Sequence, residues 1–225
     1  MSIDQEQAKT ILAREAAQMF KPKMTIGLGA GTTVMKLVES LKDQAHQNMH
    51  IVVASLSTQE HCQAYGIDAQ LMRHCSHIDL YVDGADEVDP SFCCIKGRGG
   101  AMTGEMLCAE MADEFVVLID ETKQVSRLGA KWPVVALEVV PWARSSVGRS
   151  IVKMGAKPHL REQKSDMGND IIDCHGLCLA TPYKLADQLS QMTGVVGHGI
   201  FVHTRPHRVM VSNGKTVWEI DKKSI

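Results

Sequence analysis

Apolar residues recur along the first half of the chain with two spacings, one typical of helices and one typical of buried strands. Short apolar runs predict strands over residues 24–28, 50–54, 79–82 and 115–119. Helical spacing predicts helices over residues 5–19, 34–41, 59–65 and 103–112. Because strands and helices alternate, we expect a mainly parallel sheet with helices on its faces.

The pattern changes after Gly129, where an apolar run over residues 134–140 lies between two Trp and Pro pairs. The elements predicted next are a helix over 143–154, a strand near His159, a strand over 170–173 and a helix near 185–192. With a closing strand, this order is typical of a ferredoxin-like unit. The last two strands, over 208–212 and 216–220, are predicted to form a hairpin around Asn213-Gly214.

These elements predict an α/β protein with two domains. We expect residues 1–129 and 206–225 to form a Rossmann-like catalytic domain with a mainly parallel sheet. Residues 130–205 are expected to form a smaller α/β (ferredoxin-like) domain that serves as a lid or in oligomerisation.

Charge and composition exclude several classes of partner. The 225-residue chain has 24 Lys and Arg against 26 Asp and Glu and no basic run, so we expect no nucleic-acid partner. Its polar start and the lack of a long apolar run predict a cytoplasmic protein with no signal peptide and no membrane association. Seven cysteines, an odd number, predict reduced thiols rather than a disulfide framework.

Two groups of residues resemble metal ligands: His74 with Cys75 and His77, and His203 with His207. Neither is accompanied by a second pair at the spacing of a zinc site. We therefore expect no required metal.

The glycine-rich segment 27–34, GLGAGTTV, lies between a predicted strand and a predicted helix. Backbone N–H groups at a helix N-terminus favour an anion, and Thr32 and Thr33 add hydroxyl donors. The segment lacks the Gly-Lys-Ser/Thr of a Walker loop and the third glycine of a dinucleotide fingerprint. A phosphate site without a nucleotide and a plain strand-to-helix turn are equally supported.

Four acids follow the strand over residues 79–82, in the block DGADEVD. Open α/β sheets bind ligands at the carboxyl ends of their strands, so this position favours catalysis over a solvated acidic turn. We expect Gly84 to permit a backbone bend that turns both Asp83 and Asp86 inward.

The segment 95–106, IKGRGGAMTGEM, contains Lys96 and four glycines between Gly97 and Glu105. So many glycines indicate a backbone that closely approaches another group. Thr103 is predicted to cap the next helix, which places Glu105 in the first turn as a dipole partner or a base. Beside Lys96 and the two aspartates, the base is the better interpretation. Lys123, after another strand end, is a weak signal by itself.

Taken together and in this order, these segments resemble type A ribose-5-phosphate isomerases over nearly the whole chain. Members carry a GxGTGST-like loop, a DGADE block, a KGGGA-LTREK-like block and a D-x-x-K-x-x-x-LG segment. The matching residues here are 27–33, 83–87, 96–106 and 120–129. The runs PWARSSV, SDMGNDIID and GVV before GIF match as well.

The resemblance implies interconversion of ribose 5-phosphate and ribulose 5-phosphate, without metal or organic cofactor. It implies that Glu105 is the base, kept ionised by the helix start and a nearby cation, that moves a proton between C1 and C2. Lys96 and loop N–H groups would stabilise the oxyanion, and Asp83 and Asp86 would bind sugar hydroxyls and assist ring opening. The implied substrate-binding residues are Gly31, Thr32, Thr33, Asp83, Gly84, Ala85, Asp86, Lys96, Gly97, Arg98, Gly99 and Lys123. A homo-oligomer, dimer or tetramer, is also implied, with residues 134–140 as one candidate buried surface.

The chain departs from the family pattern at four positions. Ala30 replaces a Thr, Arg98 interrupts the glycine run, and Gly104 and Met106 replace the Arg and Lys that flank the base. These changes suggest altered phosphate binding or a preference for another pentose phosphate.

Two other functions compete with the isomerase. A sugar-phosphate sensor, like the effector domains of some bacterial repressors, would need a DNA-binding unit, and the residues before the first strand leave no room for one. A coenzyme A transferase would also use a Glu, but the short chain and the phosphate-type loop argue against it.

Overall fold

A computed structural model describes residues 4–42 and 48–220; residues 1–3, 43–47 and 221–225 of the predicted Rossmann-like domain lie outside the described residues. In chain order, strands β1 to β14 are Thr25–Leu28, His50–Val53, Ala69–Leu71, Ile78–Gly84, Glu87–Val88, Cys94–Ile95, Ala112–Asp120, Val134–Val139, Lys157–Leu160, Asp170–His175, Val195–His198, Ile200–Phe201, Arg208–Ser212 and Val217–Ile220. Helices α1 to α6 are Gln5–Ala17, Thr32–Ser40, Leu56–Ala64, Met102–Met111, Arg144–Lys153 and Pro182–Ser190. Three 3₁₀ helices are Met72–His74, Glu121–Lys123 and Pro141–Ala143.

Seven strands form the central sheet in the order β14, β13, β7, β4, β1, β2, β3. Neighbouring strands are parallel except for the final hairpin, in which β14 is antiparallel to β13. The predicted α/β fold with a mainly parallel sheet is therefore confirmed.

Helices cover both faces of this sheet because its central strands are apolar on both faces. On one face, Val82 of β4 packs with Leu12 of α1 and Leu37 of α2. On the other face, Tyr81 packs in a cluster with Cys108 of α4. Among the helices of the described residues, none is long and apolar enough to cross a bilayer.

Four strands form a second sheet in the order β11, β8, β10, β9, and every neighbouring pair is antiparallel. The chain order β8-α5-β9-β10-α6-β11 combined with this spatial order is that of a ferredoxin-like unit. One face packs on α5 and α6, where Leu137 and Ile172 join Ile151 and Leu189 in one core. The division of the chain into two domains stays a prediction.

The apolar run suggested as a surface between subunits lies largely inside the protein. Residues Val134–Val139 form β8, and all six are buried. Strand β8 has a partner strand on each side and helices over one face, which leaves only Val140 exposed. The prediction that this run is an oligomer surface is therefore wrong for β8.

A third sheet of β12, β6 and β5 positions Lys96. Its two-residue strands are too short to show a period in the sequence. Directly after β6, the Lys96 N–H donates to the Gly199 carbonyl at 2.8 Å, and the Gly199 N–H donates to Ala136 O of β8 at 2.9 Å. A Cβ at Gly199 would lie 2.1 Å from the Lys96 carbonyl oxygen, so only glycine allows this approach.

Candidate active site

Glu105 lies in the first turn of α4 and is 5% exposed. The helix begins at Met102 with Ala101 as its N-cap, so the prediction that Thr103 caps it is wrong. Thr103 is already inside the helix, and its Oγ1 has no hydrogen-bond partner in the part of the chain that the structure describes. The hydroxyl packs against Gly197 instead: a Cβ added to Gly197 would lie only 2.4 Å from the Thr103 Oγ1.

Asp83 is a fully buried carboxylate at the end of β4. It follows Tyr81 by two residues and so faces the same side of the sheet, toward α4. The Tyr81 hydroxyl donates to Oδ2 at 2.6 Å, and the N–H groups of Ala30 and Gly84 donate to Oδ1 at 3.1 and 2.7 Å. A Cβ at Gly29 would lie 1.9 Å from the Asp83 Cγ, so this glycine makes room for the carboxylate.

Lys96 places its ammonium group between two carboxylates. Its Nζ lies 2.7 Å from Asp83 Oδ2 and 3.3 Å from Glu105 Oε2, and it donates to the Gly84 carbonyl at 2.5 Å. Burial lowers the pKa of Lys96, but Asp83 and Glu105 outweigh burial and raise that pKa above its ordinary value. Lys96 is therefore a charged ammonium.

Burial raises the pKa of Glu105 to about 8, with Asp83 as the second cause, and Lys96 only partly opposes the rise. The direction is opposite to the one expected from the sequence. Lys96 is shared with Asp83, so its charge does not fully compensate Glu105. A base with a pKa near neutral pH combines readiness to accept a proton with the ability to release it.

Asp86 and Asp83 do not point to the same place. Asp86 lines a cavity and accepts the Arg98 N–H at 3.3 Å, whereas Asp83 is enclosed beneath Lys96. Gly84 does not have a positive φ, and a Cβ there would have its nearest contact at 3.8 Å. Both aspartates face the site region, but nothing in the conformation or surroundings of Gly84 requires a glycine to turn them there.

A cavity of about 430 Å³ brings together nearly all the predicted site residues. The predicted residues that line it are Gly31, Thr32, Thr33, Gly84, Ala85, Asp86, Lys96, Gly97, Arg98, Gly99, Glu105 and Lys123. Asp83 is the predicted residue that does not line it. The cavity is within the size range of small-molecule sites.

Three polar residues line the same cavity without having been predicted: Gln5, Lys9 and Asp120. Gln5 and Lys9 belong to α1, which reaches the cavity because it packs against α2 and β7. In the sequence, Lys9 has the spacing of a solvated residue on an amphipathic helix. No local signal could have identified it.

One end of α2 forms part of the cavity wall. Gly31 is its N-cap with φ of 91°, a conformation that favours glycine, and Thr32 and Thr33 begin the helix. Free N–H groups at such a terminus attract anions. Lys123 is nearby in the lining, and burial lowers its pKa despite the opposing effect of Asp86 and Asp120.

The two histidines suggested as a metal pair have different partners. His203 Nε2 lies 2.8 Å from Asp187 Oδ1, and His207 Nδ1 accepts the Phe115 N–H at 2.9 Å. The absence of a required metal stays a prediction.

The sequence matches the family described as ribose 5-phosphate isomerase A (phosphoriboisomerase A) over residues 50–216. A ribose-5-phosphate isomerase A of Francisella tularensis subsp. novicida is 41% identical over 199 residues, which cover 88% of each chain. The chain belongs to the ribose 5-phosphate isomerase A family. The enzyme of that name from Mannheimia succiniciproducens is 37% identical over 210 residues, 93% of this chain and 95% of the relative.

Solved structures of the ribose 5-phosphate isomerase A family share the whole fold. The crystal structure from Neisseria gonorrhoeae aligns over all of both chains with a TM-score of 0.92 and 31% identity. A D-ribose-5-phosphate isomerase in complex with phospho-erythronic acid aligns over 98% of this chain and 100% of its own, with a TM-score of 0.88 and 32% identity.

Gly104, which departs from the pattern of the isomerase A family, lets α4 approach the end of β2 closely. A Cβ at Gly104 would lie 2.2 Å from the Ala54 carbonyl oxygen, a backbone atom that cannot easily move. We expect Gly104→Ala to lower the free energy of unfolding by about 1–3 kcal/mol, as overpacking does. Denaturant unfolding measures this loss.

Gly148→Ala is the matched control, because Gly148 is also a helical glycine, in α5, and its Cβ would have an ordinary contact at 4.0 Å. We expect Gly148→Ala to be neutral or stabilising, since alanine favours helices. Equal unfolding midpoints for the two variants would contradict the close approach at Gly104.

Proposed function

We propose that this chain interconverts ribose 5-phosphate and ribulose 5-phosphate, with Glu105 as the base that transfers a proton between C1 and C2. The observation that carries the proposal is the position of Lys96, whose Nζ lies 3.3 Å from Glu105 Oε2. Both side chains line a cavity that also contains the N-terminus of α2. A proton acceptor, a cation for a developing oxyanion and an anion site thus share one cavity.

The reaction needs only proton transfers. Glu105 takes the proton from C2 of the open-chain aldose, and negative charge develops on the C1 oxygen, where Lys96 stabilises it. The proton of the C2 hydroxyl then passes to the C1 oxygen while Glu105 returns its proton to C1. The product is the ketose, and both side chains regain their starting states.

Asp83 and Asp86 have separate roles in this proposal. Asp83, fully buried with four donors around it, holds Lys96 in place and keeps it charged. Asp86, which lines the cavity, accepts hydrogen bonds from sugar hydroxyls and assists ring opening. The Gly84 to Asp86 and Gly97 to Gly99 backbones contact the sugar at the reacting end.

The phosphate group binds at the N-terminus of α2 in this proposal. Gly31, Thr32 and Thr33 donate from the helix start, where the helix dipole favours negative charge. Lys123 and Lys9 line the same cavity and add positive charge. Ala30 supplies no hydroxyl here, and its N–H is already donated to Asp83.

An isomerase assay tests the proposal directly. The purified protein is expected to convert ribose 5-phosphate to ribulose 5-phosphate, and the same assay on other pentose and hexose phosphates measures its preference. A sugar-phosphate sensor would bind these compounds without turnover, which would refute the enzyme function. Unchanged activity in the presence of a chelator is expected if no metal is required.

The pH dependence of the reaction should reflect the raised pKa of Glu105. The base acts only when deprotonated, so kcat/KM is expected to increase with pH until Glu105 is ionised. The phosphate of a free substrate titrates at about 6, which is below the Glu105 pKa. We therefore expect kcat/KM to rise with pH in a range above the phosphate pKa. A rise centred on the ordinary glutamate pKa would contradict the assignment of Glu105 as the base.

A homo-oligomer is part of the proposal. Trp142 is 99% exposed and follows the exposed Val140 in the short segment before α5. A fully exposed indole beside apolar residues is typical of a surface that another protein covers. Sedimentation equilibrium should give the mass of a dimer or a tetramer, and a monomer at all concentrations would contradict the proposal.

A further inference from the structure

The loop of residues 97–100 lies directly on one face of the four-stranded sheet. Gly97 and Gly100 have φ values of 104° and 81°. A Cβ at Gly97 would lie 3.0 Å from the Ala136 Cβ, and a Cβ at Gly100 would lie 2.7 Å from the Ile171 Cδ1. Because side chains alternate along a strand, Ala136 and Ile171 face away from the side covered by α5 and α6. The loop occupies that other side.

Arg161, which follows β9, links this loop to the four-stranded sheet. Its Nη2 donates to the Gly97 carbonyl at 3.0 Å, and its Nη1 donates to the Arg98 carbonyl at 3.1 Å. The same guanidinium forms a bidentate pair with Asp173 of β10, through Nε at 2.8 Å and Nη2 at 2.7 Å. The Arg161 side chain is only 19% exposed. Four hydrogen bonds therefore fix a largely buried group between the sheet and two consecutive peptide groups.

The geometry of the peptide bond connects these contacts to the cavity. In a trans peptide, the carbonyl of one residue and the N–H of the next point in opposite directions. Because the Gly97 and Arg98 carbonyls point toward Arg161, the N–H groups of Arg98 and Gly99 point away from it. The Arg98 N–H donates to Asp86 Oδ2 at 3.3 Å, and both Asp86 and Gly99 line the cavity.

We propose that Arg161 is a positioning residue: anchored by Asp173, it orients the peptide groups of residues 97–99 so that their N–H groups and Asp86 meet the reacting end of the substrate. The inference rests on the proposed isomerase function. Arg161 touches no substrate itself. If Arg161 only joined the loop to the sheet, its substitution would impair folding without selectively impairing the groups that meet the reacting end of the substrate.

Arg161→Lys tests this inference, because an ammonium group cannot make the four planar, fork-shaped contacts of the guanidinium. We expect kcat to fall by about 10- to 100-fold, as misplacement of reacting groups does, while KM changes far less. The dissociation constant of phospho-erythronic acid, whose carboxylate oxygens stand in for the enediolate oxygens, should rise. That of inorganic phosphate should not change, because phosphate binds at α2.

Arg161→Ala provides a rescue experiment. Added guanidinium ion at non-denaturing concentration is expected to restore part of kcat, since it can occupy the position between Asp173 and the two carbonyls. Asp173→Asn keeps both carbonyl contacts and loosens only the anchor, so a smaller loss of kcat is expected. Asp173→Asn keeps the inference testable even if neither Arg161 variant folds.

Arg208→Lys is the matched control, because Arg208 also bridges two carboxylates, Glu114 and Glu219, at the surface. It lies outside the cavity lining, so kcat should be unchanged. Wild-type kcat in Arg161→Lys, or a loss that only follows the folded fraction, would overturn the inference. If the unmutated protein shows no turnover, the proposed function fails, and the two dissociation constants still decide whether Arg161 orients the loop.

Discussion

Glu105→Gln is expected to reduce kcat by about 1000-fold, within the range that general bases contribute. The amide has nearly the shape of the carboxylic acid but cannot accept a proton from carbon. The side chain is buried beside Lys96, a position that neither Asp86 nor Asp120, the other acids among the described residues that line the cavity, occupies. The isomerase assay measures the loss, and full activity in this variant would show that another group is the base.

The same substitution should leave the protein at least as stable. The pKa of Glu105 is raised in the folded protein, so the folded state holds a proton that the unfolded chain releases. The contribution of Glu105 to the free energy of unfolding is therefore lost as the pH rises from the pKa of Glu105 in the unfolded chain to its pKa in the folded protein. Glutamine removes that dependence. Glu110→Gln, an exposed change on the same helix, is the control for both activity and unfolding.

Lys96→Met is expected to reduce both kcat and stability. Loss of the cation beside the developing oxyanion should lower kcat by about 100- to 1000-fold. It also leaves Asp83 as a buried charge without its counterion, and removal of one partner of a buried pair destabilises by about 3–5 kcal/mol. Steady-state kinetics and denaturant unfolding measure the two effects separately.

A double variant, Lys96→Met with Asp83→Asn, separates catalysis from stability. With both charges removed, the buried negative charge is gone, so we expect much of the unfolding free energy to return. Activity should stay low, because the oxyanion still lacks its cation. If the double variant is as unstable as Lys96→Met, Asp83 is not the group that the cation compensates; if it regains activity, Lys96 is not the oxyanion donor.

Three of the four departures from the family pattern, Arg98, Gly104 and Ala30, have different structural explanations. Arg98 places its guanidinium 4.2 Å from the centre of the Trp132 ring, a cation–π contact at the edge of the cavity. Gly104 allows the close approach of α4 to Ala54. Ala30 binds Asp83 through its N–H, a contact that any residue except proline could make. The site therefore keeps its charged centre while its rim differs.

Much of the fold could be predicted because the spacing of apolar residues extends over whole helices and strands and over several of them in succession. The parallel sheet followed from alternating helical and extended segments, and the final hairpin from Asn213-Gly214. Glu105 and Lys96 were found because glycine-rich segments at strand ends have a local chemical meaning. The structure brings these two together, as predicted.

Long-range geometry decided the rest. Lys9 lines the cavity only because α1 packs over α2, and Asp83 proved to be a buried support for Lys96 because Tyr81 and the Gly29 loop enclose it. Arg161 is more than 60 residues away from the carbonyls that it binds. The order of the longer elements, the resemblance to the family and the chemical groups available could all be predicted from the sequence. Which charges are buried, and which groups share them, follows only from the packed structure, because burial and pKa depend on neighbours that are distant along the chain.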